Sequence, residues 1–191
     1  DHEALWALTQ WYIESGVSGL FAACQSSEIY KLSLEERIAI TRTTLAAAKG
    51  RVPVIASGHV SDDMDAQVSE LTAIAETGVE AVITITNHFA KPDEGEDVWL
   101  RNLETLMARL DPKINLGAYE CPAPYKRLLT PGMLRFMAES GRFYFLKDTC
   151  CDAATIRERI GILKGSNLGL YNANSTTLLD SLRAGARGFS G

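Results

Sequence analysis

Lys147 closes the apolar run Phe143-Tyr144-Phe145-Leu146, and polar Asp148-Thr149 follows it before a helix start at Asp152-Ala153-Ala154. A lysine at the mouth of a buried strand loses solvation, which favours the neutral amine and makes it a nucleophile toward a carbonyl carbon. The chemistry open to it is Schiff-base formation. The plain alternative is a strand-end lysine that snorkels into solvent. Other polar residues gather where apolar runs stop: Gln25-Ser26-Ser27-Glu28, Asn87-His88, Tyr119-Glu120-Cys121-Pro122 and Asn172-Ala173-Asn174-Ser175. An imidazole is the side chain suited to carry protons near neutral pH, so His88 is a candidate proton carrier, or else it is a surface histidine in the loop Asn87–Glu94. Asn172-Ala173-Asn174 either lines a pocket or caps a helix over Ser175–Arg183.

The elements that must position these residues are legible from periodicity. Short β-rich runs begin near Gly19, Val52, Ala81, Ile114, Phe143, Asn167 and Ala186, and amphipathic helical segments lie between them. Most starts are about 30 residues apart, the length of a strand, a crossover helix and its turns. That repeat implies a parallel sheet buried on both faces. Helix starts are marked by Ser33-Leu34-Glu35-Glu36, a capping box, by Thr130-Pro131, and by Ser61 before Asp62-Asp63. Gly16, Gly50, Gly78, Gly141 and Gly185 follow helical segments and suit left-handed helix ends.

Seven strand candidates without a composition shift or a long linker point to one domain over residues 1–191. A (β/α)8 TIM barrel fits best, with a doubly wound open sheet as the alternative. The chain opens on a helix at Glu3–Glu14 and stops just after its last strand, near Arg187–Ser190. The expectation is therefore a partial barrel, with the first strand and the C-terminal helices lying outside this sequence. In a barrel the polar strand ends ring one face, the face where active sites are built.

Composition narrows the function classes. A net charge of −5 with no run of Lys or Arg gives no electrostatic footprint for nucleic acid or an anionic membrane, so the expected partner is a small molecule. No apolar stretch approaches the roughly 20 residues of a spanning helix, and Asp1-His2-Glu3-Ala4 does not read as a signal peptide. A cytoplasmic protein is the expectation. Cys24, Cys121, Cys150 and Cys151 lack CxxC spacing and read as reduced thiols. Three of them lie near strand ends, as does His88, but without local ligand spacing they suit small apolar fillers better than a zinc site. No GxGxxG, GxxxxGK[ST] or HExxH is present.

The residues at the strand ends resemble those of the dihydrodipicolinate synthase and N-acetylneuraminate lyase family of pyruvate-dependent Schiff-base aldolases. The resemblance rests on Gly16-Val17-Ser18-Gly19-Leu20-Phe21, Leu32-Ser33-Leu34-Glu35-Glu36-Arg37, Arg51-Val52-Pro53-Val54-Ile55-Ala56, Tyr119-x-x-Pro122 and Lys147-Asp148-Thr149. It implies that Lys147 forms an imine with the ketone of pyruvate and that Tyr119, a phenol of ordinary pKa ~10, shuttles protons. The family's GTTGE loop, which binds the pyruvate carboxylate, falls on Cys24-Gln25-Ser26-Ser27-Glu28, so that role passes to Ser26 and Ser27 with Gln25 beside them. Thr149 resembles a hydroxyl lining the acceptor pocket of the neuraminate-lyase branch. Ser190, His88 and Gln25 complete the expected substrate-binding set. The resemblance further implies a 2-oxo acid and an aldehyde as substrates, no metal or organic cofactor, and a homo-oligomer, either a dimer or a homotetramer.

The departures from the family bear on the substrate. Gln25 and Phe89 stand where the synthases carry a threonine and a tyrosine of a hydroxyl relay, so that relay is absent. Pro124 stands where they place an arginine for the aldehyde's carboxylate, with Tyr125, Lys126 and Arg127 next. The expected function is a Schiff-base aldolase or lyase acting on 2-oxo acids through Lys147. The alternatives are dihydrodipicolinate synthesis itself and a catalytically silent binder of 2-oxo acids.

Overall fold

The computed structural model describes residues 1–191, which divide into two compact units, Asp1–Ile83 and Thr84–Gly191. The first unit holds α1 (His2–Glu14), β1 (Leu20–Ala22), α2 (Leu34–Ala48), β2 (Val54–Ser57), α3 (Met64–Ala75) and the start of β3 (Ala81–Ile85). Its strands are parallel, Leu20 pairing with Val54 and Ile55 with Ala81. The short apolar side chains of Ala22, Ala47, Ala48, Val54 and Ala56 are buried with Ile29, Leu71 and Ile74. Small residues allow helix and strand backbones to approach closely.

Local chemistry sets the element boundaries. Asp1 caps α1, accepting from the N–H groups of Glu3 and Ala4. Ser33 and Glu36 form the expected capping box of α2. The next start differs from the sequence reading: Asp63 is the cap of α3, accepting from Ala66, while the Ser61 hydroxyl donates to Glu70. Glu70 thereby meets Val60 N–H, Ser61 and the guanidinium of buried Arg37, whose other nitrogen donates to Gly58 O at 3.1 Å. Gly58 is required by space, because a Cβ there would collide with the side chains of Leu71 and Val82.

The second unit begins with the end of β3 and continues through a 3-10 turn (Thr86–His88), α4 (Glu96–Arg109), β4 (Leu116–Tyr119), α5 (Pro131–Glu139) and β5 (Phe143–Asp148). It closes with α6 (Ala153–Leu163), β6 (Gly169–Asn172), a second 3-10 turn (Ser175–Thr177), α7 (Leu178–Ala184) and β7 (Gly188–Phe189). β4, β5, β6 and β7 pair in chain order, all parallel. Trp99, Leu103 and Leu106 of α4, Met133 and Leu134 of α5 and Ile156 of α6 are buried with Leu116, Phe143 and Leu146 of the strands. Buried Trp99 stacks edge-on against Phe89, and its indole N–H donates to Thr86 O at 2.7 Å.

Seven strands alternating with helices are what the seven apolar runs lead one to expect. Thr130 and Asp152 cap α5 and α6 as expected. The helix expected over Ser175–Arg183 begins instead with a tighter turn, because the Asn174 side chain accepts from both Thr176 and Thr177, and the α-helix starts only at Leu178. Capping is thus what Asn174 does. Gly185, at φ 112, ends α7 directly, whereas at α2 the left-handed cap is Lys49 itself, with Gly50 following. The last strand is shorter than Arg187–Ser190: Ser190 lies beyond it, its N–H donating to Asn172 O. No helix is long and apolar enough to cross a membrane.

Candidate active site

β4 and β5 end side by side in the second unit, with Tyr119 opposite Lys147 in the parallel register. That pairing depends on an irregularity. Leu116 pairs with Phe143 but Gly117 with Phe145, so Tyr144 is an extra residue on β5. With an even count Tyr119 would face Leu146; the added residue advances β5 by one and brings Lys147 to the phenol. Lys147 and Tyr119 are both buried, 7% and 5% exposed, and the lysine Nζ lies 5.1 Å from the centroid of the tyrosine ring. A cation over an aromatic face is attracted to it.

Side chains alternate along a strand, so the residues following this pair serve the opposite face. Glu120 and Asp148 are fully buried there and meet one guanidinium, that of Arg159 on α6. Arg159 reaches Asp148 Oδ2 at 2.5 Å and Glu120 Oε1 at 2.9 Å, and it also donates to Leu129 O at 2.9 Å. Glu120 accepts further from Leu129 N at 2.7 Å and Thr149 N at 2.9 Å, while Asp148 accepts from Cys150 N at 2.9 Å. Burial foremost pushes the Glu120 carboxyl above its ordinary value, and the Asp148 charge adds to this against the pull of Arg159. Burial alone would lower Arg159, but Glu120 and Asp148 together hold it above the usual guanidinium range. The sequence reading missed this triad. Its members are far apart in the chain and on three different elements, so no local spacing marks them.

The remaining expected residues fall in several places. Thr149 is half-buried and its hydroxyl donates to Glu120 O at 2.8 Å, so it closes the loop after β5 onto the loop after β4. His88 is buried in the turn after β3, not exposed in a surface loop. Beside it, buried Asn87 donates its amide to Cys121 O, Ala123 O and Tyr125 O at 3.0, 2.8 and 2.5 Å, and the Tyr125 hydroxyl returns a bond to Asn87 O. Asn87 therefore shapes the YxxP loop, a role the sequence reading did not assign. Lys126 is exposed and donates to Thr149 O, whereas Arg127 is turned to Lys91 O and Glu94 O. Ser190 is tied by its backbone to Asn172, which donates its own amide to Thr177 and Ser181.

In the first unit, β1 turns sharply at Ala23, at φ 49, into Cys24 and a 3-10 turn over Gln25–Ser27. Ser26 and Ser27 are exposed and Gln25 half-buried. The Ser26 hydroxyl sits 2.8 Å from the buried Cys24 thiol. All four cysteines are free, and burial pushes the Cys150 thiol up to about 12.

The model of the dihydrodipicolinate synthetase family matches residues 1–191. The chain belongs to that family. Among its relatives, the 4-hydroxy-tetrahydrodipicolinate synthase of Alcanivorax borkumensis is 28% identical over 192 residues, 98% of this chain and 62% of that protein. The synthase of Parvibaculum lavamentivorans is 35% identical over 95 residues, 49% of this chain and 32% of that one. The chain thus spans about 62% of the family members it matches end to end. Solved structures of the dihydrodipicolinate synthetase family share its fold. The chloride-inhibited synthase of Acinetobacter baumannii, complexed with pyruvate, aligns at TM-score 0.88 and 21% identity over 100% of this chain and 64% of its own. YagE of E. coli K12, also complexed with pyruvate, aligns at TM-score 0.86 and 24% identity over 100% and 63%. A monomeric dihydrodipicolinate synthase variant aligns at TM-score 0.87 and 20% identity over 100% and 63%. The fold is accordingly α/β with parallel strands, matching a part of the family's barrel.

Proposed function

We propose that this chain carries the imine-forming lysine of a pyruvate-dependent aldolase or lyase. The observation that carries the reading is the burial of Lys147 opposite Tyr119, with the amine 5.1 Å from the ring. Two proteins of the same fold, solved with pyruvate, support it. Burial in a low dielectric favours the neutral amine, the form that attacks the keto carbon of a 2-oxo acid. A C–N bond forms, Tyr119 returns protons to the departing oxygen, and water leaves to give the imine. The protonated imine is the electron sink, so the reaction calls for no metal or organic cofactor. Loss of a proton from the methyl carbon gives an enamine whose carbon adds to an aldehyde; the reverse path cleaves a 4-hydroxy-2-oxo acid.

The same reading extends to the acceptor. A carboxylate-bearing aldehyde is best held by a bidentate guanidinium. Pro124 supplies none, Arg127 is engaged with backbone carbonyls of the Lys91–Glu94 turn, and Lys126 is on Thr149 O. The acceptor is therefore a neutral, sugar-like or aromatic aldehyde.

Incubation with pyruvate, reduction with borohydride and intact-mass analysis test the proposal. One reduced pyruvate adduct per chain, on the Lys147 peptide and lost in Lys147→Ala, is expected. An unmodified mass at saturating pyruvate defeats it. For the acceptor, turnover with aspartate semialdehyde is compared with a panel of sugar and hydroxy aldehydes. Preference for the semialdehyde, weakened by Lys126 or Arg127 substitutions, would overturn the assignment of a neutral acceptor.

A further inference from the structure

Two neighbouring strand ends each place a reactive residue on one face and a buried carboxylate, one residue later, on the other. Tyr119 is followed by Glu120 and Lys147 by Asp148, and a single guanidinium joins the two carboxylates. Arg159 is 3% exposed and both carboxylates are fully buried. Its own helix is anchored at the N-terminus by Asp152, whose side chain accepts from Thr155 at 2.7 Å. The strand ends are joined further by Glu120 N to Lys147 O at 3.2 Å, by Thr149 N to Glu120 Oε2 and by Thr149 Oγ1 to Glu120 O. Each of the bonds to Glu120, Asp148 and Thr149 meets the chain within one or two residues of Tyr119 or Lys147. None of them involves the phenol or the amine.

We propose that Arg159 is a positioning residue which, through Glu120 and Asp148, fixes the separation of Lys147 and Tyr119 and thereby the rate of imine formation. The proposal rests on the reading of Lys147 as the imine-forming amine. A planar fork with fixed angles holds two carboxylates at one spacing, whereas an ammonium is a point charge on a flexible stem and leaves that spacing open. Proton transfer between phenol and amine, and attack on a carbonyl, both depend steeply on distance, and a displacement of about 1 Å costs on the order of 10²-fold in rate. The bonds of Arg159 run to Glu120, Asp148 and Leu129 O, so its substitution is expected to move the chemical step more than the binding of the 2-oxo acid.

Arg159→Lys keeps the positive charge and removes the fork. Borohydride trapping followed over time, at a series of pyruvate concentrations, gives a maximum rate and a half-saturating concentration for wild type, Arg159→Lys and Asp148→Asn, with circular dichroism recorded for each. A folded Arg159→Lys is expected to keep half-saturation within about twofold and to lose roughly 10- to 100-fold in maximum rate. Asp148→Asn, which keeps the shape and releases one arm of the fork, is expected to lose maximum rate in the same sense, and it carries the test if Arg159→Lys does not fold. Wild-type rates in a folded variant, or a loss confined to half-saturation, would overturn the positioning role while leaving the lysine assignment standing. Absence of an adduct in the wild-type protein would overturn both, which separates the two failures.

Discussion

The phenol of Tyr119 is an acid/base group that the register brings beside Lys147. Tyr119→Phe preserves the buried ring and removes only the proton, so the fold is retained and imine formation slows by roughly 10²- to 10⁴-fold. Stopped-flow or quenched trapping measures this, and near wild-type rates would assign the proton traffic to His88 or water. At the same scale the two adjacent cysteines part company. Cys150, with its thiol raised to about 12 by burial, is the neutral thiol at pH 8, whereas Cys151 is exposed. Iodoacetamide at pH 8 is expected to label Cys151 well before Cys150, and Cys150 labelling is expected to rise about tenfold per pH unit as pH climbs toward 12; peptide mass analysis reads both. The places of Lys147 and Tyr119 at the ends of neighbouring strands were legible in the sequence because each closes an apolar run. Arg159 was not, because its partners are brought to it by the fold of three separate elements.

At the scale of elements, caps and turns were the most legible features, since Ser33 with Glu36 and Thr130 with Pro131 act within a few residues. Ser33→Ala is expected to cost about 1 kcal/mol in a denaturant titration, the usual loss for an N-cap hydroxyl. The close approach at Gly58 could not be read, because it is decided by Leu71 of α3 and Val82 of β3. Gly58→Ala is expected to lose about 1–3 kcal/mol by overpacking, seen as a lower Tm. The extra residue on β5 was equally hidden, for a bulge leaves no mark in an apolar run. Its side chain, Tyr144, is exposed, so Tyr144→Ser should leave pyruvate trapping intact, whereas deletion of Tyr144 shifts the ladder and abolishes adduct formation on Lys147.

At the scale of the molecule, the alternation of strand and helix was legible throughout, because each apolar run is bounded by its own turn residues. The family's solved structures share that alternation while matching only about 63% of their own length to this chain. Among them a monomeric synthase variant has the same fold, so the fold alone does not dictate an oligomer. A sedimentation measurement on the protein decides the assembly expected from family resemblance. Within each unit a strand finds its partner in the next strand of the chain: β1 with β2, β2 with β3, and β4 through β7 in turn. During synthesis, therefore, no strand within a unit waits long for its neighbour to leave the ribosome. Each pairing within a unit closes a single crossover, which keeps its loop-closure entropy below that of pairings between strands far apart in the chain.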